Sequence, residues 1–230
     1  MEKGFEIPYI FPCKIELKNL IAADGFNIGT GKITVEAWVA FVKKIQKLLN
    51  INDKTKILEV GCGSGAFLFP MYSSGANVFG IDYSSSLIKL CSKAMPLGTF
   101  NVSDAKDIPF ADLFFDVIIS NSVFQYFEGL DYAKKVVTKM IRVLKKNGRI
   151  GVFDIIDKSK HRLHEATRRR KLGSKKYNRF YGTLHHQSYD KEWFKNIAND
   201  LGFQCVIKDQ NIVGYDNSQF RYNVFLERLT

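Results

Sequence analysis

Long apolar runs are missing from this chain. Although 46% of its 230 residues are hydrophobic, no window approaches the ~18 uninterrupted apolar residues of a membrane span. The opening Met1-Glu2-Lys3-Gly4-Phe5-Glu6 has no basic leader followed by an apolar core. These absences predict a soluble, uncleaved, cytoplasmic protein with no membrane span. Cysteine is scarce: Cys13, Cys62, Cys91 and Cys205 lie far apart, which argues for reduced thiols and against a disulfide framework. His161, His164, His185 and His186 form no H-E-x-x-H and have no cysteine pairs beside them, so no structural metal is expected. Acid is short relative to base, 23 residues against 34, leaving a net charge of +11 that admits nucleic acid, anionic small molecules or membrane surfaces as partners. Most of the excess lies in residues 158–179, where ten Lys or Arg face one acid, Glu165. The length suits a single core with appendages.

Glycine is concentrated where it carries information. In Lys56-Ile57-Leu58-Glu59-Val60-Gly61-Cys62-Gly63-Ser64-Gly65, a short apolar run ends in three alternating glycines and leads into Ala66-Phe67-Leu68. The pattern predicts a buried strand turning sharply into a helix, with backbone open to a ligand. A second run, Asn77-Val78-Phe79-Gly80-Ile81-Asp82, ends in an acid suited to accept hydrogen bonds from both hydroxyls of a ribose lying across the turn. A dinucleotide also fits this spacing, since Gly61, Gly63 and Ala66 satisfy G-x-G-x-x-A, and a ligand-free turn is the plain alternative. Glu59 discriminates. A carboxylate there repels a pyrophosphate and attracts the ammonium of a methionine moiety, which favours S-adenosylmethionine.

These residues resemble the E/D-x-G-x-G-x-G motif of class I S-adenosylmethionine-dependent methyltransferases, and the likeness extends along the chain. Asp82-Tyr83-Ser84 is similar to that family's ribose motif. Ser103-Asp104-Ala105 resembles the segment where an acid meets the adenine amino group and a backbone amide meets a ring nitrogen. The segment Phe115 through Phe127, with Asn121 and Ser122, resembles the fourth strand and the loop beneath the sulfonium, and Arg142 through Ile150 the turn into the fifth. The resemblance implies cofactor contacts from Glu59, Gly61, Cys62, Gly63, Gly65, Asp82, Tyr83, Ser84, Asp104, Ala105, Asn121 and Ser122, with S-adenosylhomocysteine as product. Asn147 stands where the family often has glycine, and asparagine tolerates left-handed φ.

Taken in order, residues 1–32 show no sustained period and read as a cap over the cofactor mouth, containing Tyr9, Phe11 and Phe26. Residues 33–50 carry apolar positions at helical spacing behind a Thr34 cap. Then come strand 56–61, helix 65–74, strand 77–82, helix 84–94, strands 99–103 and 115–120, helix 130–145 and strand 148–155. This alternation predicts an α/β fold: a doubly wound, mostly parallel, seven-stranded sheet with ligands at the carboxyl ends of the strands. Residues 157–187 are expected to be an insertion without apolar periodicity, and 188–230 a C-terminal helix (189–201) and two strands (203–208 and 220–227). The whole is expected to be one domain, with 33–156 as its cofactor-binding core.

Methyl transfer from a sulfonium is an in-line displacement, so the protein must align the acceptor at ~3 to 3.5 Å and exclude water. An amine acceptor must also lose a proton. His186 is the expected proton acceptor, with Tyr181 from the insertion and Tyr9 from the cap orienting the amine. His185 is the weaker candidate, and a polar helix entry is the plain reading of either histidine. The chain also resembles bacterial type 11 methyltransferases of small molecules, including those acting on phosphoethanolamine, through Asn121 to Phe127, through His186-x-x-Tyr189, and through Tyr215 to Asn223. That resemblance implies a small anionic acceptor, with Tyr126 and Tyr189 near it. Arg179 and Arg221, set among aromatics, are assigned to substrate phosphate, and Arg168-Arg169-Arg170-Lys171 to solvated surface. Three alternatives stay open: a nucleotide-linked sugar or other polysaccharide precursor as acceptor, RNA recognised by the basic segment, and a silent cofactor-binding subunit of a partner.

Overall fold

The computed structural model describes residues 15–182 and 186–229. Its centre is a seven-stranded sheet formed by β1 (Lys56–Val60), β2 (Asn77–Asp82), β3 (Thr99–Val102), β4 (Phe115–Asn121), β5 (Leu144–Ile156), β6 (Phe203–Asp209) and β7 (Arg221–Arg228). The spatial order is β3-β2-β1-β4-β5-β7-β6. The first five strands are parallel, and β7 runs antiparallel between β5 and β6. The expected doubly wound sheet is therefore present, with one antiparallel hairpin at its edge.

Around the sheet lie α1 (Leu17–Ala23), α2 (Val35–Leu48), α3 (Phe69–Ser73), α4 (Ser85–Ala94), α5 (Leu130–Val143), α6 (His161–Tyr181) and α7 (Lys191–Asp200). The caps are chemical: Thr34 Oγ1 accepts from Ala37 N at 3.2 Å, and Ser84 Oγ from Leu87 N at 3.4 Å. Strand side chains alternate between the two sheet faces. Leu58 and Ile118 join the core under α5 and α7, whereas Ile57, Val117 and Ile119 join the core under α1 to α4. Phe115 lies on the Ile118 side because pairing with β5 jumps from Phe115↔Leu144 to Val117↔Arg149, which reverses the alternation.

Three local expectations need correction. The helix expected at 65–74 begins only at Phe69, because the positive φ angles of Gly61, Gly63 and Gly65 keep the preceding residues in turns. The cap is not wholly irregular: α1 lies within it, burying Leu20 and Ile21, a helix too short to show a period. The insertion is mostly helix. The buried positions of α6 are His164, Arg168 and Tyr177, which set up no apolar period. No helix among the described residues is long and apolar enough to cross a membrane.

Candidate active site

A cavity of about 650 Å³ opens at the carboxyl ends of β1, β2 and β4. Its floor is the glycine turn. Gly61 adopts φ +76° and Gly63 φ +53°, and the amides of Gly61 and Cys62 both donate to Ile81 O, at 2.8 and 2.9 Å. A Cβ on Gly61 would stand 2.5 Å from a Val123 methyl, and one on Gly63 2.5 Å from Asp24 Oδ1. No larger residue fits either place.

Three carboxylates surround the turn. Glu59 is 2% exposed and its Oε2 has no partner; burial, then Asp24 and other nearby acids, hold its pKa well above the usual carboxylate range. A buried, unpaired carboxylate oxygen lining a cavity fits a cationic ligand. Asp82 receives Gly63 N on Oδ2 and Ser84 N on Oδ1, each at 2.9 Å, and each oxygen keeps a further lone pair for a ligand hydroxyl. Asp24, from the end of α1, accepts from Ser64 N at 2.7 Å. Its pKa is raised to about 6, because burial outweighs the hydrogen bonds from Ser64.

Along the rest of this half, Cys62, Tyr83, Asp104, Ala105, Asn121 and Ser122 line the cavity. Asn121 Oδ1 is buried without a partner. Asp104 is already engaged, accepting from Tyr132 Oη and from Lys106 N at 3.0 Å. Those bonds and the Lys106 charge, working against burial, hold its pKa below the ordinary value. Gly65 and Ser84 do not reach the cavity. A Cβ on Gly65 would strike Met95 and Cys91, and Ser84 serves as the cap of α4.

The opposite half is built from α6, the start of β7 and the segment before α7. His186, Tyr181, Tyr126, Arg168 and Arg221 all line it. Tyr126 is 61% exposed at the rim and meets His186 edge to face at 5.2 Å. The Arg168 guanidinium lies 4.4 Å over the Tyr181 ring, its Nη1 3.0 Å from Glu165 Oε1 and 3.5 Å from His186 Nδ1. Arg221 Nη1 donates to Gln125 Oε1 at 2.5 Å and to Asp154 O at 3.0 Å. Burial and the charges of Arg168 and Arg221 lower the His186 pKa to about 4.

Behind this half, Asp154 sits at φ +61°, where the β5–β7 register shifts between Val152 and Ile155. The bulge turns its carboxylate inward, where Oδ2 accepts from Ser122 Oγ at 2.8 Å and Tyr215 Oη at 3.1 Å.

Several sequence assignments are not met. Arg179 is exposed and lies 5.9 Å from the Phe180 ring, away from the cavity. It follows Arg168 by eleven residues, three turns on one face of an unbroken helix, but Gly173 breaks the helical path at φ 70°, ψ 157°. Arg168 is not solvated surface: it is 3% exposed and faces inward. Tyr189 is fully buried, donates to Phe124 O at 2.8 Å and packs against Trp193 and Phe194, so it supports the wall without reaching the ligand space. Tyr9, Phe11 and His185 lie outside the described residues. Sequence reasoning missed Asp24, Gln125, Tyr132, Arg168 and Tyr215. Gln125 and Tyr215 lay within segments already singled out by resemblance but were given no role of their own, and Arg168 carried a local signal, the single acid Glu165 three residues before it.

Residues 58–152 match the family described as a methyltransferase domain. An uncharacterized protein of Methanocaldococcus jannaschii is 25% identical over 189 residues, covering 82% of this chain and 78% of its own length. The demethylmenaquinone methyltransferase of Thermotoga maritima is 28% identical over 145 residues, covering 62% of this chain and 57% of its own length. A solved SAM-dependent methyltransferase of Methanosarcina mazei superposes with a TM-score of 0.61 at 19% identity, covering 80% of this chain and 97% of that one, a likeness of fold.

Proposed function

We propose that this chain, which belongs to the class I S-adenosylmethionine-dependent methyltransferases, methylates a small acceptor carrying an anionic group. The carrying observation is that Arg168 and Arg221, 3% and 2% exposed, both line the cavity half opposite the glycine turn. Buried guanidiniums facing a ligand space suit bidentate recognition of phosphate or carboxylate.

When bound, the cofactor supplies a methyl group on a sulfonium whose leaving charge already resides on sulfur, so the protein's main tasks are alignment and exclusion of water. The residues of the turn fit it. Glu59 Oε2 offers an unpaired buried acceptor for the ammonium, and Asp82 has acceptor capacity left for the ribose hydroxyls. Arg168 and Arg221 would hold the acceptor's anion while Tyr181 and Phe26 wall the cavity from water.

Within this class we favour a phosphorylated amine of the phosphoethanolamine kind, ahead of a nucleotide-linked sugar. The test is methyl transfer from S-adenosylmethionine to phosphoethanolamine, ethanolamine, nucleotide-linked sugars and bulk RNA, by wild type and Arg168→Met. We expect turnover of an anionic acceptor, none of ethanolamine, and a raised KM in the variant. Equal turnover of phosphorylated and bare amines, or turnover of RNA alone, refutes the reading.

A further inference from the structure

Three buried side-chain nitrogens in residues that line the acceptor half have no hydrogen-bond partner: Arg168 Nε, Arg221 Nε and His186 Nε2. Two are donors by chemistry, because a guanidinium nitrogen has only N–H bonds to offer. The third depends on the imidazole tautomer, and its neighbour fixes that. His186 Nδ1 faces Arg168 Nη1 at 3.5 Å, a long contact but one of definite sign. A guanidinium N–H admits only a lone pair opposite it, so Nδ1 is bare and the single proton of the neutral ring sits on Nε2. With Glu165 holding the same Arg168 nitrogen at 3.0 Å, the guanidinium is anchored and the ring is oriented through it.

We propose that His186 is not the proton acceptor of the reaction but an N–H donor, which with the Nε edges of Arg168 and Arg221 forms a three-donor cradle for one oxyacid group of the acceptor. This deepens the proposed function and rests on it. The ring is also kept neutral by burial and by both guanidinium charges, which suits a donor and leaves a weak base. The cradle works by directed hydrogen bonds more than by net charge, since Glu165 lies 3.0 Å from Arg168 and Asp154 Oδ1 lies 3.8 Å from Arg221 Nε. The ligand class is a phosphate or carboxylate, whose oxygens accept three bonds at once. An acceptor held here needs no imidazole base when its nucleophile arrives as a free amine or an anionic oxygen.

Two measurements test this on the intact chain loaded with S-adenosylhomocysteine. Proton–nitrogen correlation spectra of the wild type report which imidazole nitrogen carries the proton, with no mutation needed. We expect Nε2–H; an Nδ1–H ring overturns the assignment. Calorimetry with inorganic phosphate, and separately acetate, then compares wild type, His186→Gln and His186→Ala. Glutamine restores an N–H donor but no base, so we expect it to weaken binding about threefold and alanine about thirtyfold or more. Stronger binding of phosphate or of acetate identifies the oxyacid. If Gln and Ala lose binding alike, the donor role fails while the anionic-acceptor reading stands. If neither anion binds the wild type, both the cradle and that reading fail, and Arg221 Nε and Asp154 Oδ1 are partners only to each other. In turnover, His186→Gln should retain a tenth or more of wild-type kcat/KM with an unshifted pH profile, whereas a base would make it as inactive as alanine.

Discussion

Gly61→Ala isolates the reason for glycine at the turn. The residue sits at φ +76°, where an L side chain costs roughly 1 to 2 kcal/mol. Its Cβ would meet the two Val123 methyls at 2.5 and 2.8 Å, well inside the ~3.5 to 4.0 Å carbon contact distance, and overpacking of this kind costs about 1 to 3 kcal/mol. The expected loss is therefore about 2 to 5 kcal/mol, a large share of a domain's ~5 to 15. The two parts can be separated. Val123→Ala removes both close methyls and leaves Val123 Cβ, at 3.2 Å, as the nearest contact, so in its presence Gly61→Ala should cost mainly the backbone penalty. Urea denaturation of the four proteins forms a double-mutant cycle. We expect a favourable coupling of about 1 to 2 kcal/mol in the double variant. Additivity within about 0.5 kcal/mol would show that the methyls are not what excludes a side chain, and that backbone conformation alone demands glycine.

Further outcomes follow from the same geometry. Asp82→Ala should weaken cofactor binding by about 1.5 to 3 kcal/mol, the loss of hydrogen bonds to a charged group, measured by calorimetry; unchanged affinity removes Asp82 from the ribose site. Asp24 is mostly protonated at pH 5 and mostly ionised at pH 7, because its pKa is raised to about 6. Its attraction for the cationic cofactor therefore grows as pH rises, while an α-amino group with a pKa of about 7.7 to 8.0 stays protonated. Affinity should rise up to about tenfold over that interval in the wild type and stay flat in Asp24→Asn; a slope retained in the variant assigns the titration elsewhere. Neutralising Arg169, Arg170 and Lys171 together should leave small-acceptor kinetics nearly unchanged, while Arg168→Met raises KM several-fold; the reverse pattern would place the anion site outside the cavity. Tyr189→Phe should cost about 0.5 to 1.5 kcal/mol in thermal unfolding by removing one of the two hydrogen bonds that Phe124 O accepts, with kcat retained; a selective loss of kcat would return Tyr189 to the acceptor site.

Legibility in the sequence followed the physics that shaped each segment. The parallel strands and their flanking helices bury apolar side chains at regular spacing, so their order and most boundaries could be read directly, as could the Glu59, Gly61, Gly63 and Asp82 constellation. Helix α6 could not be read this way, because its inward face is His164, Arg168 and Tyr177, two polar residues and a single aromatic that set up no apolar period. Arg168 was hidden further by its neighbours. Four consecutive cations look alike in sequence, yet only the helix phase and the Glu165 pair distinguish the inward one. Asp24 gave no local signal, since its importance comes from contact with a turn forty residues away.

The reversed direction of β7 has a consequence for how acceptor preference can change. Because β7 begins where β5 ends, Arg221 opposes Ile156, and on its other side its carbonyl accepts from Gln210 N, just past the end of β6, at 3.0 Å. Between Gln210 and Phe220, which extend the ladder at its two ends, residues 211–219 contribute Tyr215 and Asn217 to the cavity and pair with neither β5 nor β6. Residues can be added to or removed from 211–219 while Arg221 stays pinned by β5 at its backbone and by Gln125 and Asp154 at its guanidinium. On the proposed reading of an anionic acceptor, exchanging 211–219 between related methyltransferases should alter which molecule is methylated while the Arg221 contact to its anion is kept.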